Sequence, residues 1–290
     1  MNERPKVGLA LGAGAARGYA HIGVLEVLEG AGIPIDYVSG SSMGAVIGSV
    51  YACGYTPQEL EAWALGIRME DQLAMMDVTL PTMGLIKGDR IERMLREKYY
   101  GQRVTFEDLD VPFAVVACCL EEGRVQTFSQ GPFVAPVRAS MSIPGVFVPV
   151  TLDGRTYVDA GALERVPVEA VRSLGAQLTI GVDVGFRGGP APKPDNIFEV
   201  VSQYFDLVEW SSVSCDTVMV DVLITVDTME LKSSQFYKAQ PFIEAGRAAA
   251  QAALPQIQQA LMLYGMEQQA PKSLRAWRCA ACGQESGQLV

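Results

Sequence analysis

The 290-residue chain reads as a three-layer α/β/α protein with a mostly parallel central sheet. Three observations predict it. An apolar run of strand length, residues 6–11, feeds a loop, Gly12-Ala13-Gly14-Ala15-Ala16-Arg17-Gly18, and then an apolar helical pattern at Ala20, Val24, Leu25 and Leu28. A second short run, residues 35–38, leads into Gly40-Ser41-Ser42-Met43-Gly44 and a buried helix over residues 45–52 that Gly54 ends. Beyond these, strand-like and helical patterns keep alternating, with helices expected on both faces of the sheet.

The later elements follow in order. Thr56-Pro57-Gln58-Glu59 is a capping box with proline at the first helical position, opening a helix to about Gly66. Asp89 followed by Glu92 starts another, through Arg96 to Tyr100. Between them residues 69–83 are irregular and rich in methionine, which adapts to flexible apolar ligands. The stretch suits either a lid or acyl-chain wall within residues 63–100 or ordinary filler in a helical cap.

Residues 111–120 and 123–128 form a hairpin near Glu121-Glu122. A second hairpin turns at Asp153-Gly154, a two-residue signal that favours positive φ. A helix over 167–174, a buried strand over 178–184, a Gly/Pro-rich loop and a helix through Trp210 come next. A strand over 220–226 and a long alanine-rich helix from Pro241, kinked by Pro255, complete one domain over residues 1–264. Residues 265–290 form a polar tail without a fixed fold.

Composition narrows the function classes. A hydrophobic content of 49% supports a sizeable core, and a net charge of −10 argues against nucleic acid and strong attraction to anionic membranes. Neither a signal-like apolar leader nor an 18-residue apolar span is present, so a cytoplasmic protein with at most peripheral membrane contact is expected. The six cysteines include adjacent Cys118 and Cys119 in an apparent core strand, which suits a reducing compartment. Cys279 and Cys282 make only half of a zinc site, and no metal or cofactor is expected.

Gly40-x-Ser42-x-Gly44 places a serine on a sharp strand-to-helix turn, the arrangement of a nucleophile elbow. The base is the open question, because the chain has a single histidine, His21, upstream of Ser42. The base is therefore His21 or a carboxylate, and a lone histidine on a half-apolar helix is more often a packed residue. The glycine-rich loop presents backbone N–H groups at a helix N-terminus, fit for a phosphate or an oxyanion. Its glycine spacing misses G-x-G-x-x-G, and Arg17-Gly18-Tyr19 is not a Walker ending, so an oxyanion loop is the better reading. Asp159-Ala160-Gly161 puts a carboxylate at a strand end among small residues.

Together these stretches, with His21-Ile22-Gly23-Val24-Leu25 and Val137-Arg138-Ala139-Ser140-Met141-Ser142-Ile143-Pro144-Gly145, resemble the patatin-like phospholipase family, in the family's order. The resemblance implies a lipid acyl hydrolase with Ser42 as nucleophile, Asp159 as base and the glycine-rich loop as oxyanion hole. Expected donors are the amides of Ala13, Gly14, Ala15 and Met43, with Gly12, Arg17, Gly18, Gly40, Gly44 and Gly161 supporting the motifs. Arg17 and Arg138 are expected to brace rather than react. Ala13 and Ala15 stand where the family usually has glycine, a change that strains the loop only where φ is positive. Two other functions use the same parts, an acyltransferase to a thiol or alcohol and a catalytically weak lipid-binding regulator.

Overall fold

A computed structural model of the chain describes residues 4–80, 83–188, 193–195, 197–216, 220–228 and 231–269. Its strands are β1 (Val7–Leu11), β2 (Tyr37–Gly40), β3 (Phe113–Cys119), β4 (Arg124–Phe128), β5 (Val150–Leu152), β6 (Arg155–Val158), β7 (Leu178–Asp183) and β8 (Val222–Thr225). The helices are α1 (Ala20–Gly30), α2 (Met43–Ala52), α3 (Pro57–Gly66), α4 (Met69–Met75), α5 (Asp89–Leu95), α6 (Val134–Ser140), α7 (Val168–Ser173), α8 (Ile197–Asp216) and α9 (Ala239–Gln269).

Side-chain alternation sets the layers. Val7, Leu9 and Leu11 of β1 enter the main core with residues of α1, α2 and α9, whereas Ala10 faces Val166, Val168 and Val171 on the α7 side. Leu178, Ile180 and Val182 of β7 repeat the pattern into the main core. Each such fully buried aliphatic side chain contributes about 1.5–3 kcal/mol.

The sheet runs β5-β6-β3-β2-β1-β7-β8, with β4 also paired to β3. Strands β1, β2, β3, β7 and β8 are parallel, β4 and β6 run against them, and β5 pairs antiparallel with β6 at the sheet's edge. β1 lies between β2 and β7, so the chain leaves it in one direction and returns on the other side, which opens a crevice at the strands' carboxyl ends.

The β3 registers decide where the site forms. β4 pairs with β3 from Val115 to Cys119, overlapping β2 at Val115 and β6 at Cys118 and Cys119. Since a strand has two edges, β2 and β6 share the one opposite β4. They point at each other along it, Gly40 opposite Val115 and Val158 opposite Cys118. The gap between their ends is three residue steps, about 10 Å. The chain following β2 and the chain following β6 meet there.

Several sequence expectations need adjusting. The second strand is Tyr37–Gly40 and the next helix starts at Met43, so the turn at Ser42 is tighter than expected. The methionine-rich stretch contains a two-turn helix, α4, and Val78 bridges Ile86 beyond it. α8 continues past Trp210 to Asp216, and α9 past Tyr264 to Gln269. Residues 270–290, with Cys279 and Cys282, lie outside the described residues. The capping box at Thr56 and Glu59 forms as expected, and Asp153 and Gly154 turn the second hairpin with φ 48° and 77°. Cys53, Cys118 and Cys119 are free and buried.

α8 is turned inside out relative to an ordinary surface helix. Its polar residues Glu199, Ser202 and Asp206 are buried, whereas Ile197, Val200, Tyr204, Leu207 and Trp210 are 50–65% exposed. Among the described residues, no helix is long and apolar enough to cross a membrane.

Candidate active site

Ser42 occupies the turn between β2 and α2 with φ 55° and ψ −122°, a region costly for a residue with a side chain. Packing holds it there. A Cβ on Gly44 would lie 2.2 Å from the Leu11 carbonyl oxygen, and one on Gly40 would lie 2.5 Å from the Ala45 Cα. Only glycines allow α2 to start this close to the end of β1. The Ser41 amide donates to the Leu11 carbonyl at 3.0 Å, and the Ser42 amide donates to the Oγ of buried Ser140 at 2.9 Å.

Across the gap stands Asp159, 117 residues later in the chain. The Ser42 hydroxyl donates to Asp159 Oδ2 at 2.5 Å, the Gly161 amide donates to Oδ1 at 2.8 Å, and the Asp159 amide donates to the Ser142 carbonyl at 2.9 Å. Burial pushes the Asp159 carboxyl up to about 6, although the bonds from Ser42 and Gly161 pull the other way. A carboxylate in that range is ionised at neutral pH yet basic enough to take a hydroxyl proton in a transition state.

His21 is not so placed. It is fully buried, its Nε2 donates to the Gly12 carbonyl at 2.8 Å, and burial pushes the imidazole down to about 4. A neutral ring committed to the loop backbone braces the loop.

The loop itself is pinned at both ends. Gly12 N–H donates to Val182 and Ala13 N–H to Arg165, at 3.0 and 2.9 Å, and Ala16 N–H donates to Ser233 at 3.0 Å. The Ala13 amide, expected among the oxyanion donors, is thus committed elsewhere. The amides of Gly14, Ala15 and Met43 have no hydrogen-bond partner among the described residues. Of the two loop alanines only Ala15 has positive φ, at 49°, so it alone carries strain.

Arg17 and Arg138 are held in hydrogen bonds to neighbouring elements. Arg17 Nη1 donates to Asp206 of α8 at 3.1 Å, Nη2 pairs with the other Asp206 oxygen, and Nε donates to the Gly14 carbonyl at 3.3 Å. Arg138 donates to Ser142 Oγ at 2.6 Å, to the carbonyls of Lys87 and Val148, and lies over the Phe147 ring. Arg138 and Asp159 therefore both grip Ser142, one through its side chain and one through its carbonyl.

Two cavities open at Ser42. The larger, about 940 Å³, is lined by apolar side chains including Tyr19, Val46, Trp63, Leu73, Ile86 and Met94. A small one of about 30 Å³ brings Ser42, Asp159, Ser202, Asp206 and Glu209 together with apolar Ile143, Pro144 and Phe205. The α8 residues Ser202, Asp206 and Glu209 were not anticipated. Their spacing marks one helix face, but the apolar face beside it is equally regular.

A family model described as patatin-like phospholipase matches residues 9–172, which include the Gly12–Gly18 loop, Ser42 and Asp159. The chain is 40% identical over 191 residues to an uncharacterized NTE family protein of Mycobacterium tuberculosis, a match covering 66% of this chain and 52% of that protein. It is 33% identical over 185 residues to human patatin-like phospholipase domain-containing protein 6, covering 62% of this chain and 13% of that one. It is 34% identical over 182 residues to lysophospholipase nte1 of Aspergillus fumigatus, covering 62% and 12%. The match thus spans about half the length of the mycobacterial relative and a much smaller part of the other two.

Proposed function

The chain belongs to the patatin-like phospholipase family, and from that premise we propose that it is a serine lipid acyl hydrolase working through Ser42 and Asp159. The observation that carries the reading is the 2.5 Å bond from the Ser42 hydroxyl to a buried carboxylate pushed up to about 6, in a chain whose one histidine is tied to Gly12.

Asp159 takes the hydroxyl proton as Ser42 Oγ attacks the ester carbonyl. The oxyanion that forms is met by the amides of Gly14, Ala15 and Met43, each such donor being worth roughly 3 kcal/mol in the transition state. Collapse expels the alcohol, which takes the proton back from Asp159, and leaves an acyl-enzyme on Ser42. Water then releases the fatty acid and restores the serine.

The acyl chain lies in the apolar cavity, whose size fits a flexible lipid ligand. Met69, Met75, Met76 and Met94 give that cavity an adaptable wall, so α4 and its neighbours act as the acyl-chain lid. A single-chain ester such as a lysophospholipid suits the site, in keeping with the name of the fungal relative. The outward apolar face of α8 makes peripheral contact with the lipid surface from which substrate is drawn.

The test is release of p-nitrophenol from esters of increasing chain length, and of fatty acid from a lysophospholipid, by the full chain and by Ser42→Ala. The reading expects Ser42-dependent release that improves with chain length. Release that survives Ser42→Ala removes Ser42 as nucleophile. Binding of acyl groups without release, and without acyl transfer to added alcohols or thiols, leaves a lipid-binding protein.

A further inference from the structure

The small cavity at Ser42 is lined by two polar groups that the acylation chemistry does not use. Ser202 is 6% exposed, and its hydroxyl has no hydrogen-bond partner among the described residues. Oε2 of Glu209, two turns further along the same face of α8, likewise has no hydrogen-bond partner among the described residues. Leaving a buried hydroxyl or carboxyl unpaired is unfavourable, because the group has given up its water, so such groups meet a partner the protein itself does not supply. The cavity they line measures about 30 Å³. That is room for about two water molecules, given that one needs roughly 10–15 Å³ and two to four polar partners. Ser42 and Asp159 line the same cavity.

We propose that Ser202 and Glu209 hold the hydrolytic water of the deacylation step, making α8 the element that commits the acyl-enzyme to water. The inference rests on the Ser42–Asp159 reading and concerns its second half. The bound water donates one hydrogen to Asp159 and the other toward Ser202 or Glu209, leaving a lone pair for the acyl carbon. Its oxygen bonds to that carbon while its proton passes to Asp159. The tetrahedral intermediate collapses by breaking the bond from carbon to Ser42 Oγ. Asp159 returns the proton to Oγ, and the free fatty acid departs.

The charge state of the pocket fits the role. Burial pushes the Glu209 carboxyl up to about 8, and the neighbouring Asp159 and Asp206 add to the effect, against Arg165 and Arg17. Glu209 is therefore neutral at neutral pH and can bind water without competing with Asp159 for the transferred proton. Gly161 keeps the two carboxyls close, since a Cβ there would lie 2.8 Å from Glu209 Oε1 and 3.2 Å from Asp159 Oδ1. Placing a water beside the nucleophile is also what a hydrolase requires and an acyltransferase must avoid.

Pre-steady-state release of p-nitrophenol at pH 7 separates the two half-reactions. Ser202→Ala and Glu209→Leu should keep a burst matching the concentration of active sites while the turnover after it falls about 10- to 100-fold, the cost of a misplaced reactant. Glu209→Gln, neutral and nearly isosteric, should restore most of the turnover. Neither the split between burst and turnover nor the glutamine rescue is expected from a merely structural role. The proposal is overturned if burst and turnover fall together in Ser202→Ala and Glu209→Leu, or if neither changes, while wild type still acylates and turns over. If wild type shows neither ester turnover nor labelling of Ser42 by a fluorophosphonate, the hydrolase reading itself fails and takes the water site with it.

Discussion

Asp159→Asn should make the protein more stable while abolishing its activity, and the size of the gain follows from the site. Burial raises the carboxyl from its ordinary 3.8 to about 6. The folded protein therefore holds a proton through that window that the unfolded chain has already released. Stability falls as pH rises across it, and above pH 6 the full penalty is present, about 3 kcal/mol. Below 3.8 both states are protonated and there is no penalty. Asparagine is neutral throughout and escapes the cost. It can also keep the local contacts, with Oδ1 accepting from Gly161 N–H and Nδ2 donating to Ser42 Oγ, the groups now bonded to the carboxylate. At pH 7.5 the variant should unfold at higher urea, with a gain of about 2–3 kcal/mol, or about 3–6 °C in Tm for a chain of this size. At pH 3.5 the two proteins should unfold together. A variant less stable at pH 7.5, or an advantage that persists undiminished at pH 3.5, would refute the claim that a buried, ionised Asp159 is held at a cost.

Other outcomes follow from the same geometry. His21→Ala loosens the Gly12 carbonyl but leaves the base in place, so kcat should fall modestly and keep its acidic limb near pH 6; complete loss of turnover, or of that limb, would restore His21 as the base. Ala15→Gly relieves about 1–2 kcal/mol of left-handed strain against about 0.5–1 kcal/mol of added backbone freedom, so urea melts should show a gain of about 1 kcal/mol or less rather than a loss. Leu207→Ser with Trp210→Ser, on the exposed face of α8, should lower hydrolysis of lipid in vesicles while leaving short soluble esters unaffected; equal loss on both substrates would remove that face from lipid contact.

Much of this arrangement was legible in the sequence because local rules carried it. The run from Val7 to Leu11 and its glycine-rich loop read as strand and loop, and Asp153-Gly154 fixed a hairpin. Gly40 and Gly44 announced a tight turn, and the close approaches of α2 to β1 explain why no larger residue fits. The meeting of Ser42 with Asp159 came from family resemblance, since nothing local tells that β6 returns along the same edge of β3 as β2. That is a matter of register, set by pairings over long sequence separation.

Three features escaped for different physical reasons. The sequence indicates a helix through Trp210 but not which of its faces turns inward; the polar one does, because Asp206 pairs with Arg17 and Ser202 and Glu209 line the cavity at Ser42. The Ala13 amide could not be known to donate to Arg165, a contact made by a residue far along the chain. The strain at Ala15 depends on its φ, which the neighbouring glycines left free until Ala16 was pinned to Ser233.

The most direct test of the account is the pH dependence of fluorophosphonate labelling, with the adduct located by mass spectrometry in wild type, Ser42→Ala and Asp159→Asn. The account predicts one adduct, on Ser42, formed at a rate that rises with pH through a midpoint near 6, absent in Ser42→Ala and almost absent in Asp159→Asn. An adduct on another residue, or labelling of Ser42 at the same rate without the Asp159 carboxylate, would contradict it.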